Sequence, residues 1–238
     1  MIRLHDPLVV ALDLPTQAEA AALVARLGDS IQTYKVGLGL YTREGAQIVR
    51  YLLASGKKVF LDLKYHDIPN TVASAVRAAA DLKVSMLTVH AAGGRKMLQA
   101  ASQAARDASE DLKVLAVTVL TSMNDDDLQS TGVADRVSEQ VLRLASLALD
   151  AGCHGVVSSA QEVQLLRAKL GTEFLAVTPG VRPRGSATGD QARVVTPSEA
   201  IAAGATHIVV GRPILQAPDP AREAEKILEE IAAPPVAS

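Results

Sequence analysis

Leu8-Val9-Val10-Ala11-Leu12-Asp13-Leu14-Pro15-Thr16 is an apolar run that ends in an aspartate and a proline turn. A doubly wound nucleotide-binding sheet would place a glycine-rich phosphate turn here, directly after its first strand. Asp13-Leu14-Pro15-Thr16 stands there instead. Outward from this stretch, short β-rich runs recur at 31–35, 58–64, 86–90, 113–120, 153–158, 173–177 and 207–211, separated by Ala/Leu/Arg-rich stretches of helical character. With 8–13 they make eight runs in 238 residues, and about 30 residues is the size of one strand–helix unit. Each run is mostly apolar without strict alternation, as expected of strands covered on both faces. Helix-stop glycines precede several of them, at Gly28, Gly56, Gly152, Gly171 and Gly204. No break in composition divides the chain. The pattern predicts an α/β fold, a single-domain (β/α)8 TIM barrel over 1–238 with a frayed tail at 233–238.

Composition narrows the function. Twenty-four Lys and Arg against 26 acidic residues leave a net charge of −2, which is not the footprint of a nucleic-acid binder. Two Phe, four Tyr and no Trp offer few platforms for stacking bases. The lone Cys153 excludes a disulfide framework within one chain and any cysteine-based zinc site. No apolar stretch approaches the ~18 residues of a membrane span, and the start of the chain lacks the character of a secretory signal. A cytoplasmic enzyme is expected, with no membrane and no nucleic acid as partner.

Barrel chemistry sits at the C-terminal ends of the strands, and here those ends are unusually polar. The first run ends in Asp13, the second in Lys35, the third in Asp62 and Lys64, the fourth in His90, the fifth in Thr121-Ser122, the eighth in Gly211-Arg212. Period-two geometry puts Asp62 and Lys64 on one face of their strand. Converging charges cost several kcal/mol to bury unless they pair with each other or with a ligand. The densest segment is Asp62-Leu63-Lys64-Tyr65-His66-Asp67-Ile68-Pro69-Asn70-Thr71. A lysine between two aspartates stays protonated, which suits a proton donor better than a Schiff base. For Asp67 two readings stand side by side: part of the site, or a helix cap just before Pro69.

The 18 residues 179–196, with three Gly, two Pro and three Arg, have the length of a binding loop or lid. Arg182 and Gln191 are its candidate anion and amide contacts, while Arg184 and Arg193 read as solvated. Gly211-Arg212 follows the last strand, where barrels commonly bind phosphate. His5, His154 and His207 lie at the stability end and receive no role. His66 and His90 lack a metal-ligand spacing; His90 with Asp62 is the one weak metal candidate, and no metal is expected. Cys153 reads as a small buried apolar residue, and Asp125-Asp126-Asp127 as a solvated helix start.

Asp62-x-Lys64-x-x-Asp67, with Lys35, Asp13, Leu120-Thr121-Ser122, Pro179-Gly180-Val181-Arg182, Gln191 and Gly211-Arg212, resembles the orotidine 5′-monophosphate decarboxylase family over nearly the whole chain. The resemblance implies cofactor-free decarboxylation of orotidine 5′-monophosphate to uridine 5′-monophosphate, with Lys64 as proton donor. It implies an alternating charged array of Lys35, Asp62, Lys64 and Asp67, the last crossing from the partner in a homodimer. It further implies ribose contacts from Asp13 and Lys35, and Thr71 reaching the neighbouring site. Thr121 and Ser122 would lie near the pyrimidine, and Arg182, Gln191, Gly211 and Arg212 would hold the phosphate. A Mg-dependent phosphosugar decarboxylase or aldolase on the same D-x-K-x-x-D barrel is the alternative, and a non-catalytic phospholigand-binding barrel the more distant one.

Overall fold

The computed structural model describes residues 6–183 and 195–233. Among them, eight parallel strands close into a barrel in sequence order: β1 Leu8–Ala11, β2 Thr33–Gly37, β3 Lys58–Tyr65, β4 Met86–His90, β5 Lys113–Val117, β6 Gly155–Val157, β7 Leu175–Pro179 and β8 His207–Val210. Val9 beside Val209 makes the closing pair. The outer layer is built from α1 Gln17–Leu27, α2 Leu38–Glu44, α3 Ala46–Ala54, α4 Pro69–Asp81, α5 Gly94–Ala108, α6 Asp125–Ser130, α7 Val137–Asp150, α8 Ala160–Leu170, α9 Pro197–Ala202, α10 Arg212–Leu215 and α11 Pro220–Ala232. This is the (β/α)8 architecture that the eight apolar runs predict.

Alternation of side chains divides the core in two. Val9, Ala11, Phe60, Met86, Leu115 and Val177 point inward and fill the barrel interior. Leu8, Val10, Val36, Leu61 and Leu87 belong to the second cluster, outside the sheet, with the buried faces of the helices. Those faces follow helical spacing, as in Val137, Val141, Leu144, Ala145 and Ala148 of α7. Each such Leu or Val contributes about 1.5–3 kcal/mol when fully buried, so the framework needs no covalent staple. Gly155 is demanded by close approach: a Cβ there would lie 2.1 Å from the Leu175 carbonyl oxygen. Gly171 closes α8 at φ 83, as expected of a helix stop.

Strand ends depart from the expected positions. β1 stops at Ala11 and β5 at Val117, which leaves Asp13 and Leu120 in loops. β2 and β7 run on to Gly37 and Pro179 because their neighbours continue the ladder, Gly37 beside Asp62 and Pro179 beside Val209. Apolar character marks a strand but not where its partner begins and ends.

The residues given no catalytic role have structural ones. The His154 Nδ1 accepts the Val114 backbone N–H at 3.0 Å, and His207 Nδ1 lies 3.0 Å from the Thr206 hydroxyl. Cys153 is buried, receives the Ser102 hydroxyl at 3.4 Å, and has its thiol pushed up to about 11 by burial. Such a thiol is inert at neutral pH. Asn124 caps α6 in a reciprocal box with Asp127, and Asp125, Asp126 and Asp127 stay exposed in its first turn. His5 lies outside the described residues, and among those described no helix is long and apolar enough to cross a membrane.

Candidate active site

A cavity of 240 Å3 opens at the C-terminal ends of the strands. Asp13, Lys35, Asp62, Lys64, Thr121, Arg182, Gly211 and Arg212 all line it. Ser122 does not; it is exposed beyond Thr121 in the loop after β5. Asp67 and Thr71 are exposed at the rim, at the start of α4. Gln191, with Arg184 and Arg193, lies outside the described residues. The two ends of the loop are tied together by an isolated bridge, in which the Arg182 N–H donates to the Val195 carbonyl at 3.0 Å.

The charges form one alternating chain. Lys35 Nζ is 3.2 Å from Asp13 Oδ1 and 3.6 Å from Asp62 Oδ2. Lys64 Nζ donates to both Asp62 oxygens, at 2.8 and 2.9 Å. The ladder explains the convergence: Ala11 pairs with Lys35, and Gly37 pairs with Asp62, so inward residues of β1, β2 and β3 rise at staggered heights to one point. Asp62 is buried. Burial pushes its carboxyl upward, but Lys35, Lys64 and the hydrogen bonds from Lys64 and Thr88 outweigh that and hold it below the usual carboxylate value. It is therefore an anion at neutral pH, flanked by two ammonium groups.

Asp62 and Lys64 meet by a different route from the regular pleat the sequence suggests. Leu61 pairs with Leu87, but the next β3–β4 pair is Tyr65 with Val89. Four steps along β3 match two along β4, so β3 bulges through the segment that carries Asp62 and Lys64. Lys64 takes φ 50, one of two non-glycine residues at positive φ among those described. A conformation of this kind costs about 1–3 kcal/mol and persists only where surroundings over-determine it. Thr88 of β4 stands opposite the bulge. Its buried hydroxyl accepts the Lys64 N–H at 2.8 Å and donates to Asp62 Oδ1 at 2.9 Å.

Two residues at the mouth escape the sequence reading. Thr88 is one; its only signal is a hydroxyl inside an otherwise apolar strand. Gly37 is the other: a Cβ there would lie 3.0 Å from Lys35 Nζ, so glycine keeps room for the ammonium. His90, at the end of β4, lies with its ring centre 5.5 Å from that of His66. Burial, then His66 and Lys64, hold His90 below the ordinary imidazole range, so it is neutral at pH 7.

Asp67 is not the cap that the local sequence allows. Ile68 occupies the N-cap position of α4 without a side-chain cap, and Asp67 Oδ1 accepts the Ile68 N–H at 2.6 Å, ahead of the helix. Among the described residues its carboxylate joins no ion pair, so within one chain the array is Asp13–Lys35–Asp62–Lys64.

A larger depression of 860 Å3 lies at the opposite end of the barrel. Its lysines, Lys58, Lys83 and Lys113, are matched by Asp6, Asp81 and Asp111. Residues 1–5, which precede Asp6, lie outside the described part. Size alone would favour it, but convergent charge and a pinched carboxylate favour the mouth.

The comparisons agree with this geometry. A family model described as orotidine 5′-phosphate decarboxylase / HUMPS family matches residues 6–227. The chain is 52% identical over 231 residues to the orotidine 5′-phosphate decarboxylase of Chromohalobacter salexigens, covering 97% of this chain and 98% of that one. It is 54% identical over 226 residues to the enzyme of that name from Halorhodospira halophila, covering 95% and 96%. The crystal structure of orotidine 5′-phosphate decarboxylase from Lactobacillus acidophilus superposes with a TM-score of 0.86 at 39% identity, over 96% of this chain and all of that one.

Proposed function

The chain belongs to the orotidine 5′-phosphate decarboxylase / HUMPS family, and on that premise we propose that its mouth cavity converts orotidine 5′-phosphate to uridine 5′-phosphate. The protein is a carboxy-lyase of pyrimidine biosynthesis, acting on a small nucleotide without a cofactor. The observation that carries this reading is the chain Asp13–Lys35–Asp62–Lys64, with distances of 3.2, 3.6 and 2.8 Å. In the reaction the bond from the ring carbon to the carboxylate breaks and its electron pair stays on that carbon. No neighbouring group delocalises the pair, so the protein stabilises it in place. Asp62 faces the substrate carboxylate. Two like charges ~4 Å apart at an effective dielectric of ~20 repel by about 4 kcal/mol. That is about a thousandfold, whereas the largest enzymatic accelerations need ~23 kcal/mol. Lys64 therefore supplies the larger part, a fixed ammonium beside the developing carbanion, and then gives it a proton. Remote phosphate binding adds to this by holding the ring in position.

The remaining roles are those the family resemblance implies. Asp13 and Lys35 hold ribose hydroxyls. Thr121 lies against the pyrimidine, with Ser122 drawn in on binding. Arg182, Gln191, Gly211 and Arg212 hold the phosphate. The active unit is a homodimer in which Asp67 and Thr71 serve the neighbouring site. Support for this comes from Ile68, 67% exposed between them at the rim, and from Leu38, 56% exposed at the start of α2. Large apolar side chains so placed call for a cover. The enzyme works in the cytoplasm, in keeping with a lone, unpaired cysteine.

The Mg-dependent alternative on the same barrel fares worse. A divalent ion at Asp62 would have to displace both Lys35 and Lys64 from its oxygens. The deciding assay adds orotidine 5′-phosphate in excess EDTA and follows loss of the substrate chromophore. Undiminished turnover is expected; none by folded protein defeats the reading, and turnover that needs added Mg2+ restores the alternative.

Arg212→Ala should lower kcat/KM on the nucleotide on the order of 100-fold, the worth of a charge-assisted contact. On the unphosphorylated nucleoside it should change the residual rate barely at all, because its contribution is realised through the phosphate. Equal losses on both substrates would mean that Arg212 acts on the ring or supports the fold.

A further inference from the structure

Thr88 is fully buried in the middle of β4, between Leu87 and Val89, which are equally buried. Threonine suits a strand by propensity alone, and a valine would pack there as well. The hydroxyl has a more particular setting. It stands where β3 bulges away from β4 between Leu61 and Tyr65. Lys64, at positive φ, gives its N–H to this hydroxyl instead of to a β4 carbonyl. The same oxygen donates to Asp62 Oδ1. One side chain thus fixes both the backbone that carries the proton donor and the carboxylate that faces the substrate.

We propose that Thr88 is a positioning residue for the decarboxylation, holding Asp62 and Lys64 in register with each other without touching the substrate. The inference rests on the function proposed above. Its physical basis is a difference in stiffness. The terminal torsion of an aspartate is broad, and the lysines that reach Asp62 do so on long flexible stems. They follow the carboxylate and do not fix it. Threonine is β-branched, short and stiff at χ1, and it comes from a separate strand. Lys35 from β2, Lys64 from β3 and His90 at the end of β4 are the titratable groups around Asp62; the lysines are long and flexible, and among the described residues Asp62 takes its side-chain hydrogen bonds from Lys64 and Thr88, not from His90. Without the hydroxyl, the Lys64 N–H loses its partner and the carboxylate is free to turn.

The test compares Thr88→Val and Thr88→Ser in the full chain, measuring kcat and KM for orotidine 5′-phosphate, affinity for uridine 5′-phosphate, and thermal melts. A misplacement of about 1 Å costs on the order of 100-fold in rate, so Thr88→Val should lose roughly 10- to 100-fold in kcat. Its KM and product affinity should stay within about threefold of the parent, because the ribose and phosphate contacts are untouched. Thr88→Ser keeps the hydroxyl and should restore kcat to within about fivefold of the parent, at whatever cost in melting temperature the lost methyl brings. A Thr88→Val enzyme with parental kcat overturns the inference, as does a Thr88→Ser enzyme as slow as Thr88→Val. If Thr88→Val does not fold, Thr88→Ser against Thr88→Ala decides on the same terms: equal kcat overturns it. A parent chain with no turnover defeats the decarboxylase reading itself, whereas an active parent with an unimpaired valine variant defeats only the role of Thr88.

Discussion

Lys64→Ala should lose on the order of 10^5-fold or more in turnover while still binding uridine 5′-phosphate. The size follows from two losses at once. General acid catalysis contributes typically 10^2–10^4-fold, and a preorganised charge beside the developing anion about 10^2–10^3-fold more. Product affinity should survive because the phosphate and ribose contacts proposed above fall to other groups lining the mouth, Arg212 and Asp13 among them. A purely structural ion pair makes a different forecast, in which the variant unfolds. The geometry argues against that outcome. The Lys64 side chain is 28% exposed, and Asp62 keeps Lys35 at 3.6 Å and the Thr88 hydroxyl at 2.9 Å after the substitution. The stability cost should be about 1–2 kcal/mol out of an ordinary 5–15. Steady-state assay, product titration and a thermal melt on one preparation separate the cases. Activity within tenfold of the parent would remove Lys64 from the chemistry.

The fold and the charged mouth are legible in the sequence for the same reason. A strand covered on both faces reads as an unbroken apolar run, so polar residues at the ends of such runs stand out. Asp13, Lys35, Asp62, Lys64 and Arg212 are all found that way. The bulge in β3 leaves no such mark, because the residue at positive φ is Lys64, not a glycine or asparagine. Without the bulge, Thr88 has no visible task. Threonine inside a strand is unremarkable until the neighbouring ladder breaks and an N–H needs an acceptor. Gly37 is hidden likewise: its lack of a side chain matters only once Lys35 Nζ is known to occupy the space. Ser122 marks the opposite limit. Its place in Leu120-Thr121-Ser122 suggests the pyrimidine side of the site, but one residue along a loop suffices to turn it out of the cavity lining.

Asp67 separates the two kinds of reading most sharply, and mixing two inactive variants decides its place. Its exposed carboxylate neither caps α4 nor reaches Lys64 within the chain. Serving its own site would require the segment between β3 and α4 to fold inward over Asp62. Serving a neighbour requires only that a second copy approach the rim where Ile68 is exposed. On the homodimer proposed above, Lys64→Ala and Asp67→Ala chains should each be nearly inactive alone. After random exchange in an equal mixture, about half the dimers are mixed, because a two-fold interface contributes each residue reciprocally. In a mixed dimer, the site on the Asp67→Ala chain keeps its own Lys64 and receives Asp67 from its partner, while the other site lacks both. About a quarter of all sites should therefore recover full activity. If Asp67 acts within its own chain, each site in a mixed dimer still lacks one residue and nothing recovers. Subunit exchange is confirmed by native mass measurement on the assayed mixture. Recovery near a quarter establishes a site shared across the interface; none, with mixed dimers present, returns Asp67 to its own subunit.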